Sequence, residues 1–456
     1  MRLVHLALAL LVASSVLAHE APVQAAPPDP KLVEQYRPTE FPDRIVLTWA
    51  DDPATSQAVT WRTNASAAPQ RIEVAVAEDG PGFVGKAKSF AAETEAMTSE
   101  ISDARYHSVV LRGLNPKTQY VYRVGAGASW SAWHEFTTAA DRHEPFNFIY
   151  FGDAQNDLKM HWSRVIRRAF RDAPNARFLL HAGDLINRAD ADLEWAEWHE
   201  AGGWMNASIP NVPTPGNHEY TSGRLSKNWR PQFTLPQNGV PGLEETCYTI
   251  DYQGVRLISL DSNRMHAEQA IWLETVLADN PNPWTIVTFH HPLFSTAKGR
   301  DNKTWRETIQ PILDRHRVDL VLQGHDHTYG RSNLVVGANH RTPAGTVYVV
   351  SVSGPKMYNL EPQDWMARAA EDTQLYQIIR VEGNVLRYEA RTAIGTTYDS
   401  FRLTKRRGKP NRLDNLIPAT PENRRVPPPS GRGTSAEWFF GLAALGSLVL
   451  VRRSVS

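Results

Sequence analysis

Five blocks between Phe146 and His327 constrain this chain more than anything else in it. Each joins a metal-binding type of residue to a short apolar or glycine-bearing run. Phe146–Phe151 leads into Gly152-Asp153-Ala154-Gln155. Phe178–His181 leads into Gly183-Asp184-Leu185-Ile186-Asn187. The third block is Pro215-Gly216-Asn217-His218-Glu219, the fourth Val287-Thr288-Phe289-His290-His291, and the fifth Gly324-His325-Asp326-His327. A lone Gly-Asp is usually a turn, and a lone histidine is usually a satisfied core or surface residue. Five such blocks in order, mostly at strand ends, are hard to explain as turns. In an open α/β sheet the carboxyl ends of the strands form the ligand crevice. Glycine beside the polar residue permits a tight turn and close backbone approach. Carboxylate, amide oxygen and imidazole together suit divalent or trivalent ions such as Fe, Mn and Zn. A pair of ions needs a ligand that bridges both, which a carboxylate with two oxygens can be.

The runs between the blocks predict the surrounding fold. Helical stretches at Met160–Arg171, Ala267–Ala278 and Trp305–Arg315 alternate with strands such as Val255–Leu260, Thr285–Phe289 and Val318–Leu322. That alternation predicts an α/β layered domain over residues 145–403. Thr346–Val352, Leu375–Val381 and Val385–Arg391 follow without helices and are expected to complete a second sheet. Residues 40–140 instead carry many short β-rich runs, including Arg44–Trp49, Ala58–Arg62, Ile72–Ala77, His107–Leu111, Tyr120–Val124 and Trp133–Thr137. Turn residues separate them, which predicts an all-β sandwich. No acid/base or ligand cluster falls there, so a structural or interaction role is expected for it. No internal repeat, P-loop or dinucleotide fingerprint is present.

The two ends read as addresses. Met1-Arg2 precedes a mostly apolar run, Leu3–Leu17, and Val16-Leu17-Ala18 suits a signal peptidase, so residues 1–18 are expected to be a secretory signal. A later cut after Ala25 or Ala26 is an alternative. Residues 406–436 are rich in Pro, Arg, Gly and polar residues and predict a linker rather than a packed element. Trp438–Val451 is apolar and is followed by Arg452-Arg453. Fourteen residues fall short of the roughly twenty that span a bilayer. The 438–453 segment resembles bacterial C-terminal sorting signals, with a plain transmembrane tail anchor as the alternative. Its arginines favour a cytoplasmic C-terminus and a body outside. An exported bacterial protein is expected, periplasmic, at the cell surface or secreted, with membrane contact through this segment.

Composition excludes several classes. With 456 residues the chain has room for two or three domains at roughly 150 residues each. A hydrophobic share of 41% and a charged share of 21% exclude wholesale disorder. One cysteine, Cys247, excludes an intrachain disulfide framework and a cysteine-rich metal site. The net charge is zero, yet residues 19–401 hold 37 Lys/Arg against 46 Asp/Glu. An acidic body is a poor general binder of polyanions, so no nucleic-acid partner is expected.

The five blocks resemble those of the calcineurin-like metallophosphoesterases. With the β-domain in front, residues 40–400 are similar to the purple acid phosphatases in particular. Thr328-Tyr329-Gly330-Arg331-Ser332 and Val347–Val352 add to the likeness. Pro42–Arg62, Tyr122-Arg123-Val124-Gly125 and Trp130-Ser131 resemble that family's fibronectin-like N-terminal domain. The resemblance implies a two-sheet metallophosphoesterase sandwich flanked by helices, preceded by an all-β fibronectin-like sandwich. It also implies two metal ions per chain, of Fe, Mn or Zn. Asp153 and His327 would bind the first ion, Asp184 would bridge, and Asn217, His290 and His325 would bind the second. His218 would contact substrate and protonate the leaving group, while a metal-bound hydroxide attacks phosphorus in line. Asn217 and His218 would line the substrate. His291, next to His290 on a strand end, is expected to point elsewhere because successive side chains alternate, and either to support a ligand from behind or to face substrate rather than to bind metal.

One departure from the family pattern stands out. Purple acid phosphatases close the second block with an iron-binding tyrosine, where this chain has Asn187. Other superfamily members place a histidine two residues after the first aspartate, where this chain has Gln155. Gln155 or Asn187 could offer an amide oxygen, or water could fill the place. A neutral oxygen stabilises Fe³⁺ less than a phenolate, so no purple colour is expected and Mn²⁺, Zn²⁺ or Fe²⁺ should serve. Lys298 and Arg300 could meet substrate phosphate, although a solvated loop is the plainer expectation for them. Glu219 either orients His218 or is exposed. The leading expectation is an exported acid phosphatase-like hydrolase of phosphomonoesters. Its alternatives are a phosphodiesterase or nucleotidase with the same site, or a surface binding protein with a vestigial one. No oligomeric state follows from the sequence.

Overall fold

A computed structural model of the chain describes residues 28–340 and 342–425. The expected signal at 1–18 and apolar segment at 438–453 lie outside the described residues, as does 426–436. Among the described residues, no helix is long and apolar enough to cross a membrane.

The N-terminal part is a β-sandwich. Asp43–Thr48, Ser56–Asn64, Asp103–Arg112 and Glu93–Thr98 form one antiparallel sheet in that order. Lys88–Ala91, Arg71–Val76, Gln119–Ala126 and Ser129–Trp130 form the other, with His134–Thr137 also paired to Gln119–Ala126. Leu47, Val59, Trp61, Ile72, Val74, Tyr122 and Val124 fill the space between them. This sandwich is joined to the α/β part by buried polar bonds. Arg44 and Arg62 both pair with Asp192 at the start of helix Asp192–Gly202, Arg62 at 3.6 Å. All three side chains are at most 3% exposed. Removing one partner from such a buried cluster typically costs about 3–5 kcal/mol.

The α/β part holds two seven-stranded sheets. In the first, Phe146–Phe151, Leu179–Ala182 and Asn211–Thr214 run parallel. In the second, Val255–Ser259, Trp284–Thr288, Leu320–Gln323 and Thr346–Val350 run parallel. The central strands Leu320–Gln323 and Thr346–Val350 are buried throughout, as parallel strands covered on both faces must be. Phe148, Phe178, Ile286, Leu322 and Val349 belong to the core cluster that holds the domain together.

Two expectations are corrected. The late strands do not complete one second sheet. Thr346–Val350 joins Leu320–Gln323, whereas Leu375–Glu382 pairs antiparallel with Phe146–Phe151 and Val385–Thr392 follows it there. Leu179–Ala182 takes one edge of Phe146–Phe151, so the other edge was open to Leu375–Glu382. Nor does a linker begin at 406. Lys409–Asn415 pairs with Thr397–Arg406 as the terminal strand of the first sheet. Its charged, mostly exposed composition and Pro410 are what an edge strand tolerates. The chain then stays on the body: the Glu371 N–H donates to the Asn423 carbonyl at 2.9 Å.

Candidate metal centre

The parallel strands of both sheets end at one place. Asp153 follows Phe146–Phe151, Asp184 follows Leu179–Ala182, and Asn217 and His218 follow Asn211–Thr214. His290 follows Trp284–Thr288, and His325 and His327 follow Leu320–Gln323. Two groups of donor atoms form there. Asp184, His290 and His325 make one, and Asp153, Asp184 and His327 the other, with Asp184 common to both.

Backbone bonds decide which imidazole nitrogens face the centre. His290 Nδ1 donates to the Ala182 carbonyl at 2.9 Å, so a neutral His290 offers only a lone pair at Nε2. That nitrogen lies 3.1 Å from Asp184 Oδ2, 3.1 Å from Asn217 Oδ1 and 3.1 Å from His325 Nδ1. His327 Nδ1 donates to the Lys356 carbonyl at 2.8 Å, which turns its Nε2 toward Asp153 Oδ2 at 3.1 Å. Acceptor atoms thus converge on acceptor atoms in a buried place. A cation relieves that arrangement, and the donor set of carboxylates, imidazoles and amide oxygen suits Fe, Mn or Zn. Asp153 Oδ2 and Gln155 Oε1 are buried without a hydrogen-bond partner, which fits the same conclusion.

The electrostatics carry this crowding. Burial lifts the Asp153 carboxyl to about 7, with the His290 imidazole opposing. Burial also works against the Asp184 carboxylate, but His290 outweighs it and holds Asp184 well below the usual carboxylate range. Burial pushes His327 down to about 3 and His325 well below its ordinary value. His325 and His327 thus carry the neutral rings a metal needs. Burial works against a charged His290, but Asp184 and Asp153 outweigh it and push that imidazole up to about 9, so a cation arriving at its Nε2 displaces a proton.

The turns holding these residues are strained and tightly fitted. Asp184, His325 and His327 have φ of 50°, 76° and 46°, a region costly for residues with a side chain. A Cβ on Gly216 would overlap the Asp184 carboxylate, and one on Gly324 would overlap Asp153 Oδ1. Both positions require glycine because of that approach.

The remaining predicted residues fall into place around the centre. The Gln155 amide nitrogen is 2.8 Å from His327 Nε2 and 3.2 Å from Asp184 Oδ2. Reversing the amide puts its unpartnered oxygen among the donors instead. Asn187 enters through its main chain: its carbonyl accepts from His218 Nδ1 at 2.5 Å. That bond leaves His218 Nε2 as the open nitrogen, 3.9 Å from Asp184 Oδ2 on a side chain 26% exposed. His291 bonds the Ser262 hydroxyl through Nδ1 at 2.8 Å, and its ring lies 4.3 Å from that of His325. Arg300 Nη1 donates to the His325 carbonyl at 3.1 Å, whereas Lys298 is exposed.

Glu219 is neither exposed nor bonded to His218. Its buried carboxylate accepts backbone N–H groups from Gly216 at 2.7 Å, Asp184 at 2.9 Å and Leu185 at 2.7 Å. Burial and the charge of Asp184 push its carboxyl up to about 8, against the N–H groups of Gly216 and Leu185. A single acid beside His218 gave no sequence signal for this role. The same holds for Lys356 and Tyr358, which come from a loop without periodicity. A separate groove of about 1050 Å³, lined by Asp51, Arg112, Gln237 and Asp251 among others, includes none of the predicted site residues.

Comparison with known proteins agrees with this geometry. Residues 42–138 match the N-terminal domain of purple acid phosphatases, and residues 138–329 match the calcineurin-like phosphoesterases. The chain belongs to the calcineurin-like metallophosphoesterases, in the purple acid phosphatase-like group that carries this N-terminal domain. It is 26% identical over 367 residues to acid phosphatase type 7 of Mus musculus, covering 70% of this chain and 79% of that protein. It is 28% identical over 271 residues to purple acid phosphatase 21 of Arabidopsis thaliana, covering 56% of this chain and 59% of that protein. Among solved structures it resembles purple acid phosphatase PPD1 from yellow lupin (Lupinus luteus) seeds. That match has a TM-score of 0.69 at 18% identity and covers 80% of this chain and 74% of the other. It also resembles PhoD, with a TM-score of 0.65 at 14% identity, covering 85% and 95%. At these identities the structures show the shared fold.

Proposed function

We propose that this chain is an exported hydrolase of phosphomonoesters that works with two metal ions. The observation that carries the proposal is the pair of donor groups sharing Asp184, with the open Nε2 of His218 beside them. Asp153 and His327, with Gln155 against them, would hold one ion. Asn217, His290 and His325 would hold the other, and Asp184 would serve both. Bound there, the ions would supply Lewis acidity, an activated water and neutralisation of phosphoryl charge.

The protein's own groups would do the rest. His290 and His327 are locked in the tautomer that offers Nε2 by the carbonyls of Ala182 and Lys356. His218 is locked by the Asn187 carbonyl, so only Nε2 can exchange a proton with substrate. In its imidazolium form His218 would hand the Nε2 proton to the leaving-group oxygen. Its partial exposure allows reprotonation from solvent. Export is supported by the N-terminal run and its Val-x-Ala site.

The test uses residues 28–425, because stopping near 405 would remove the paired strand Lys409–Asn415. Chelator-stripped protein is assayed with p-nitrophenyl phosphate and bis-p-nitrophenyl phosphate under added Mn²⁺, Zn²⁺ or Fe²⁺. Metal-dependent release from the monoester is the expected result. Preference for the diester would move the assignment to a phosphodiesterase with the same donors. Absence of both turnover and metal binding would overturn it.

A further inference from the structure

One wall of the centre carries more positive charge than a metal site requires. The Tyr358 ring lies 4.5 Å from the His327 ring, and the Tyr358 N–H donates to the His327 carbonyl at 3.2 Å. Two cations face that same tyrosine. The Arg300 guanidinium carbon is 4.6 Å from its ring centroid, and Lys356 Nζ is 5.6 Å from it. Both cations belong to segments bonded to metal-type histidines. Arg300 Nη1 donates to the His325 carbonyl, and the Lys356 carbonyl accepts from His327 Nδ1.

Their charge is only partly compensated. Arg300 has the buried Asp326 carboxylate 3.6 Å from Nη1, and the other oxygen of that carboxylate accepts the Thr296 N–H at 2.6 Å. Lys356 makes no ion pair among the described residues. Arg300 is one-third exposed and Lys356 half-buried, so both remain open to a solute entering the site. Two cations on one ring, beside a centre that would itself be cationic, repel one another. An anion that meets these cations at the edge of the centre offsets that repulsion. The transferred phosphoryl group would be held by the ions and His218, so the wall is surplus to it.

We propose that Arg300, Tyr358 and Lys356 form a second anion site, and that the preferred substrates carry a second phosphoryl group on the leaving-group side. The proposal rests on the phosphoesterase reading above and specifies its substrate class. Arg300 keeps N–H groups beyond Nη1 for a paired bond to phosphate oxygens, and Lys356 adds a point charge. The Tyr358 ring spaces the two.

The test compares propane-1,3-diol bisphosphate with propyl phosphate as substrates of the Mn²⁺-loaded protein. In parallel, binding of propane-1,3-bisphosphonate and propylphosphonate is measured by calorimetry. Arg300→Gln combined with Lys356→Gln should lower the bisphosphate-to-monophosphate ratio of kcat/KM roughly tenfold, as expected for loss of charged hydrogen bonds at a half-exposed site. The bisphosphonate-to-phosphonate binding ratio should fall by a similar factor. The conservative Lys356→Arg should retain most of both ratios. Equal ratios in wild type and double variant would overturn the second anion site. Failure of wild type to hydrolyse either ester, with the binding ratio still falling in the variant, would leave the anion site standing and remove the esterase reading instead.

Discussion

The Glu219 carboxylate accepts the backbone N–H of Asp184 at 2.9 Å, so the loop that presents the shared aspartate is anchored by the residue after His218. The same carboxylate takes the N–H groups of Gly216 and Leu185, each at 2.7 Å. It therefore ties the second and third donor loops together and leaves the Asp184 side chain free to face the centre. Groups that orient metal ligands typically cost 10–100-fold in metal affinity when removed. Glu219→Ala should show a loss of about that size, measured by chelator competition. An unchanged affinity would show that the turns hold themselves.

His218→Ala should behave differently. Its side chain reaches the centre only through Nε2, while its backbone N–H donates to Asp184 Oδ1 at 2.9 Å and survives the substitution. Metal content should stay at the wild-type level while phosphatase kcat falls about 10²–10⁴-fold, the usual range for a lost general acid. Metal analysis and steady-state kinetics on the same sample separate the two effects. Equal activity would remove His218 from the proton transfer.

Gly216→Ala tests the tight fit directly. The added Cβ would come within 2.5 Å of the Asp184 backbone nitrogen and overlap its carboxylate. Neither the backbone nor a carboxylate held by the His218 N–H can give way cheaply. The variant should fold, because the overlap is confined to the loops, and should bind less than the wild-type complement of metal. Elemental analysis after dialysis decides this. Full metal content would mean that the two loops can part without harm.

How much of this was legible in the sequence follows from what each residue depends on. Asp153, Asp184, Asn217, His290, His325 and His327 were legible because their chemistry, their glycine neighbours and their places at the ends of apolar runs coincide. The structure brings the donor atoms of these six together. Glu219 was not, because its partners are backbone N–H groups of loops far along the chain, and no residue type announces them. Lys409–Asn415 read as linker because an edge strand gains half its ladder and little burial, so polar residues do not argue against it. The two-sheet assignment of Leu375–Glu382 depended on which strand edge lay open, a property of topology rather than of that segment.

Colour provides an independent test of the donor set. A ferric phenolate band requires a tyrosine oxygen on the iron, and Asn187 enters the centre through its carbonyl, which His218 occupies. Iron-loaded, oxidised protein should show no visible charge-transfer band. Absorption spectra before and after reduction check this. A band that bleaches on reduction would contradict the expectation, and loss of that band in Tyr358→Phe would assign it to the ring packed on His327.

One contribution to the fold's response to acid comes from His181, in the strand Leu179–Ala182 that leads to Asp184. The ring is 1% exposed and stacks on Phe151 with centroids 5.5 Å apart. Burial pushes its imidazole from the ordinary 6.5 down to about 4, with the Asn211 bond opposing. Between those values the unfolded chain binds the proton more readily than the folded one. Stability from the neutral ring is thus fully present above about pH 6.5. It starts to fall as pH drops below that value and is gone below about pH 4. The shift corresponds to on the order of 3 kcal/mol. His181→Gln keeps an amide that can bond Asn211 and removes the titration. It should lower stability at pH 7 yet lose about 3 kcal/mol less than wild type between pH 7 and 4, as read from urea midpoints of chelator-treated protein. Parallel losses in the two proteins would place the acid sensitivity elsewhere, with His107, pushed down to about 4 by its own burial, the next residue to replace.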